Sequence, residues 1–274
     1  MAFFRFNYVA DCVKDAMDLL VVVPQKKHIR CAASPDLQLG SFQRHYPVLL
    51  LLHDEASSPR ELCGMTGVER FAEEHGVMVV MPQGLLSYYT DYADRDASDN
   101  TGGPGNSSIE ANFTEMRYEA FLLDALRYVR CALPASRERG KTFVGGIGMG
   151  GFGAIKLAMK HPEVFSAVFS IAGDVDLQSL MDCEPERKEQ FEAIFGAQCA
   201  KGENNLPARC AEMAHRAEAP RLMQLWAKDG ARAEMNRRLA ESLVEYPNYR
   251  AEEAACPFDW DYVDNALRCA IAWL

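Results

Sequence analysis

Apolar positions along the chain fall into short blocks that alternate with amphipathic stretches, and the blocks define the elements. Phe3 to Val23 reads as two strands, "FFRFNYVA" and "AMDLLVVVP", rich in aromatic and β-branched residues and ended by Pro24. Gln25 to Tyr46 is a polar loop. Pro47 to His53 is a continuous apolar run of strand length, the pattern of a strand buried on both faces. A helix follows at Val68 to Glu74, then a strand at Val77 to Met81 ended by Pro82. Gln83 to Ser108 is a loop rich in Asp, Gly, Ser and Asn, and Glu110 to Ala132 is the longest helical pattern. Strands are expected at Thr142 to Ile147, Phe165 to Ile171, Arg221 to Ala227 and Tyr249 to Ala255. Helices are expected at Gly150 to Lys160, Ala231 to Val244 and from Asp261 onward. The charged stretch 174–219 reads as helices inserted over the sheet. Apolar strands alternating with helices predict an α/β fold, a mostly parallel sheet with helices on both faces, in one domain over 1–274.

Composition narrows the partners. The chain has 274 residues, 49% of them apolar and 25% charged, with a net charge of −10 and a pI near 5.2. That balance argues against nucleic acid or an anionic membrane as the main partner. Neither "DLLVVVP" nor "PVLLLLH" approaches the ~20 apolar residues of a spanning helix, and the N-terminus carries no signal-peptide pattern. Nine cysteines, none paired as C-x-x-C, predict reduced thiols in a cytoplasmic protein. The sequons at Asn106 and Asn112 then carry no sugar. The run Asp91, Asp94, Asp96, Asp99 lacks EF-hand spacing and reads as a solvated acidic loop. No metal and no cofactor is expected.

The most informative segment is "TFVGGIGMGGFGAIKLAMKHPEVFSAVFSIAG", Thr142 to Gly173: strand, glycine turn, helix, strand. Gly146 to Gly151 satisfies G-x-G-x-x-G, with Asp174 ending the next strand, which leaves nucleotide binding as a weak reading. Gly146 and Gly150 also match the flanks of G-x-S-x-G, the strained turn that presents a nucleophilic serine, but the middle position is Gly148.

Together with "PVLLLLHD", "TGVERFAEEHGVMVVMPQ", "SYYTDY", "PRLMQLWAKD" and "DWDYVDNALRCAIAWL", this segment resembles the tributyrin esterase and esterase D group of α/β-hydrolases, which includes S-formylglutathione hydrolases. The resemblance runs in order along nearly the whole chain and is weakest over 174–219. It implies the α/β-hydrolase fold and a Ser, Asp, His triad. The serine position falls on Gly148, the acid position on Asp229 and the base position on Phe258, with no histidine after His215. The oxyanion loop, His-Gly in the family, is His53-Asp54, and the second oxyanion N–H would come from Met149. Asp54 would oppose an oxyanion if it points inward. These departures together predict a degenerate hydrolase that keeps a pocket for a small-molecule ligand or partner. The alternative is an active short-chain carboxylesterase or thioesterase using substitute groups. Cys256, His53 and Asp229 would then share the pocket, and Tyr88, Tyr89 and Tyr92 would wall a ligand or anchor the loop. A homo-oligomer is compatible with the sequence and not derivable from it.

Overall fold

The computed structural model describes residues 1–25, 45–92, 116–196 and 199–274. Eight strands form one sheet in the order β1-β2-β4-β3-β5-β6-β7-β8. They are β1 (Ala2–Ala10), β2 (Asp15–Val23), β3 (Val48–Leu52), β4 (Met78–Pro82), β5 (Thr142–Ile147), β6 (Ala167–Ile171), β7 (Arg221–Ala227) and β8 (Tyr249–Ala254). β1 pairs antiparallel with β2, and β2 with β4; the other six strands run parallel.

β3 explains why the sheet is covered twice. Its five residues are all fully buried, and successive side chains point to opposite faces. Val48, Leu50 and Leu52 join one apolar cluster with Phe152, Ile155 and Phe121. Leu49 and Leu51 join the other with Phe71, Val263 and Leu267. Each buried leucine contributes about 1.5–3 kcal/mol relative to exposure, so neither face can be left bare.

The helices are α1 (Pro59–Met65), α2 (Val68–His75), α3 (Tyr118–Ala132), α4 (Met149–Lys160), α5 (Leu177–Cys183), α6 (Lys188–Phe195), α7 (Leu206–Met213), α8 (Ala233–Ser242) and α9 (Trp260–Trp273). Helices α2 and α9 cover one face, and α3, α4, α7 and α8 the other. Helices α5 to α7 occupy the connection between β6 and β7.

Two elements differ from the sequence reading. α1 lies between His53 and Val68, where the pattern assigns no element, and the long helix begins at Tyr118 and not at Glu110, since Met116 and Arg117 are not helical. Arg117 instead bridges to Asp91, whose Oδ1 accepts the N–H groups of Glu119 (2.9 Å) and Ala120 (3.3 Å). Asp91 thus satisfies otherwise orphaned donors at the start of α3. Asp94, Asp96, Asp99, Asn106, Asn112, Cys31 and most of both long loops lie outside the described residues. The other eight cysteines are free thiols.

The parallel strands place the site. β3 and β5 are neighbours, with Leu52 opposite Gly146, while β3 pairs on its other side with β4. Strand order reverses there, and ligands of open α/β sheets bind beyond the carboxyl ends of strands at such a reversal. His53-Asp54 and Gly148-Met149 are the residues found at that point.

Candidate active site

β5 ends at Ile147 and α4 starts at Met149, so Gly148 alone makes the turn, at φ 53° and ψ −117°. That backbone is open to glycine and costly for other residues. Its N–H donates to the Ile171 carbonyl (3.0 Å), and its carbonyl accepts from the N–H groups of Phe152 (3.2 Å) and Asp174 (3.1 Å). The flanking glycines let the chains approach. A Cβ on Gly146 would run into the backbone of Gly150, and one on Gly150 into the carbonyl of Leu52.

Asp54 points inward. Its Oδ1 accepts the N–H of Met149 (2.9 Å) and the N–H of Glu55 (2.8 Å). A carboxylate therefore sits at the N-terminus of α4, where backbone donors and the helix dipole favour an anion. A Cβ on Gly148 would overlap that same carboxylate. The helix start that a dinucleotide's pyrophosphate would need already holds an anion belonging to the chain. Asp174, the acid considered for a ribose, is fully buried and paired with Arg232.

His53 is fully buried, and both its ring nitrogens are engaged by backbone. Nε2 accepts the N–H of Gly84 (2.9 Å), which leaves the proton on Nδ1 to donate to the Asp54 carbonyl (2.7 Å). Burial lowers its pKa, against the pull of Asp54. A second proton would face the Gly84 N–H, so His53 holds the loop and is not a free base.

Of the two roles open to the tyrosines, wall of a pocket or anchor of the loop, Tyr88 and Tyr89 are placed for the second and are buried in the core. Tyr89 accepts the His53 N–H (2.9 Å) and donates to the His53 carbonyl (3.2 Å) through its hydroxyl. Tyr88 stands edge-on to Phe152, Phe191 and Phe195, and burial raises its phenol pKa. Both lie within 1% exposure because their rings fill the space between the loop and the helices above.

The remaining candidates separate. Phe258 is 38% exposed and lies near the Asp229-Gly230 turn: a Cβ on Gly230 would stand 3.6 Å from that of Phe258. Phe258 and Asp54 line one cavity of about 310 Å³. Asp229 is exposed beyond the end of β7 and does not line it. Cys256 lines a separate groove beside Glu252, Tyr262 and Cys269. Cys256, His53 and Asp229 therefore do not meet in a common pocket. Among the described residues no group of His, Cys, Asp or Glu is placed to hold a metal.

A charge network above Gly148 escaped the sequence reading. Arg187 forks onto Glu55, with Nη1 to Oε1 at 3.1 Å and Nη2 to Oε2 at 2.5 Å, and also reaches Glu184 (2.6 Å). Arg232 pairs through Nε with Asp174 Oδ1 and stands 3.7 Å from Glu55. Burial pushes the Asp174 carboxyl up to about 6, against the pull of Arg232. No spacing rule joins residues 55, 174, 187 and 232; only the Asp after a strand gave a signal.

An α/β sheet of this order, with a glycine-framed strand-to-helix turn at its switch point, defines an α/β-hydrolase. More narrowly, the chain belongs to the Esterase family, described as putative esterase, whose model matches residues 35–254. It is 23% identical to an acetyl esterase of Caldicellulosiruptor saccharolyticus, over all of this chain and 98% of that one. Two solved structures from Staphylococcus aureus share the fold. The fluorophosphonate-binding serine hydrolase FphF has a TM-score of 0.82 at 24% identity, covering 99% of this chain and 97% of its own. The S-formylglutathione hydrolase FrmB has a TM-score of 0.78 at 23% identity, covering 99% and 98%.

Proposed function

We propose that this chain is an esterase-family protein that binds without hydrolysing. Gly148 stands at the nucleophile position and Phe258 at the base position, and Asp54 fills the oxyanion hole. The observation that carries the reading is the hydrogen bond from the Met149 N–H to Asp54 Oδ1 (2.9 Å). A donor that would stabilise developing negative charge is already neutralised by a fixed one. No nucleophilic oxygen stands at residue 148, and in a Ser-His-Asp protease loss of the nucleophile or the base alone costs about a million-fold. Substitute chemistry draws no support from His53, whose ring nitrogens are occupied, or from Cys256, which lies in another groove. The Asp54–Phe258 cavity is the place for a ligand.

Hydrolysis of p-nitrophenyl acetate and butyrate tests this. The expected rate equals the buffer background in both the wild type and Asp229→Ala, and a fluorophosphonate probe leaves the protein unlabelled. A rate above background that Asp229→Ala abolishes would overturn the proposal.

A further inference from the structure

We propose that the cavity between Asp54 and the start of α9 binds a small organic cation, an ammonium carried on an apolar body. This rests on the reading that the pocket binds without hydrolysing, and it names the ligand class.

The lining has a definite polarity. Leu62, Ile147 and Val263 supply an apolar floor, and Phe258 and Trp260 supply rings. Among the described residues, the ionisable side chains on the wall are two carboxylates, Asp54 and Asp259. Each has one oxygen committed and one unused. Asp54 Oδ1 holds the Met149 and Glu55 N–H groups, and Asp259 Oδ1 holds the Tyr262 N–H (2.8 Å). Neither Oδ2 carries a hydrogen bond among the described residues. Ser57, also on the wall, has a hydroxyl shielded from solvent and without a hydrogen-bond partner among the described residues. The nearby guanidinium groups pair with Glu55, Glu184 and Asp174; Arg232 also acts on Asp54 through space, but makes no hydrogen bond to it among the described residues, and neither arginine lines the cavity.

The chemistry follows. An anion or an ester carbonyl entering here meets two carboxylates and gains no donor from Met149. An ammonium gains a charge-assisted hydrogen bond to a free carboxylate oxygen. It also gains contact with two aromatic side chains, to which a cation is attracted. A volume near 310 Å³ lies at the small end of ligand pockets.

Three probes of one size and different charge decide it by titration calorimetry and thermal shift: phenethylammonium, 2-phenylethanol and phenylacetate. Phenethylammonium is expected to bind at least ~10-fold more tightly than the alcohol, and phenylacetate to leave the protein unshifted. Asp54→Asn keeps an acceptor for both N–H groups and should erase the preference for the cation. Asp259→Asn keeps the helix cap and should weaken the cation several-fold, as should Phe258→Leu. These two variants carry the test if Asp54→Asn does not fold. Equal binding of cation and alcohol, or a preference that survives the folded variants, overturns the inference. Absent hydrolysis with absent cation binding sinks this inference alone, whereas ester turnover in the same preparation sinks the reading beneath it.

Discussion

At Gly148 two constraints coincide. The backbone has positive φ, and the space a Cβ would take holds the Asp54 carboxylate. Gly148→Ala should lower stability by about 1–3 kcal/mol from backbone strain, with more from the displaced carboxylate. In an Asp54→Gly background the second part should vanish, so a double-mutant cycle in urea should show the pair coupled. Additive effects would mean that Asp54 does not occupy that space. The glycine was legible from the G-x-x-x-G frame. The direction of Asp54 was not, because it depends on the Met149 N–H presented across the sheet from a residue 95 positions away.

Among elements, strands were the most legible, since a buried parallel strand is an apolar run whatever its neighbours. α1 was missed because seven residues containing a glycine give little periodicity. A local signal did exist: the S-x-x-E spacing with Pro59 at the first helical position. Ser58 is the N-cap, accepting the Glu61 N–H (3.3 Å), and its hydroxyl donates to the Glu61 carboxylate (3.2 Å). Where α3 meets α4, Glu119 receives Lys160 (2.8 Å) and His161 (3.3 Å), with Lys156 at 3.7 Å; Glu203 lies 2.9 Å from Lys160. Burial opposes the charge of Glu119, but His161, Lys160 and Lys156 outweigh it and hold the carboxyl at about 2. The folded pKa is depressed, so its stabilisation is complete above the ordinary carboxylate value of about 4.3 and fades as pH falls toward 2. The same hydrogen bond raises His161, whose contribution is complete below about 6.5 and is lost as pH rises through its higher folded value. Glu119→Gln should cost roughly 3 kcal/mol near neutrality. It should also flatten both limbs of stability against pH, as measured by urea unfolding.

Over the whole molecule, one sheet is clothed on two faces, and the β6–β7 connection adds helices above the strand ends. Arg187 ties that connection to the loop after β3 through Glu55, while Tyr88 fills the space beneath it with Phe191 and Phe195. Arg187→Gln should remove the tie, and with it the guanidinium 4.9 Å over the Phe191 ring, while the packing of Tyr88, Phe191 and Phe195 on one another is kept. Amides of α5 and α6 should then exchange faster with solvent, with those of β3 and β5 unchanged. Equal acceleration everywhere would place the tie in global stability instead. The stretch 174–219 was legible as helical through its lack of strand signal, but the pairing that fastens it joins residues 132 positions apart, beyond any local pattern.

The overlap between Asp54 and the space above Gly148 also makes the two positions interdependent under substitution. A side chain at residue 148 and the present setting of the Asp54 carboxylate compete for one volume. A replacement at 148 is therefore better tolerated once residue 54 is small, and the order in which the two positions change decides how costly each step is. Variation at this turn is filtered by a residue far from it in the chain, so the pair is expected to change together or not at all.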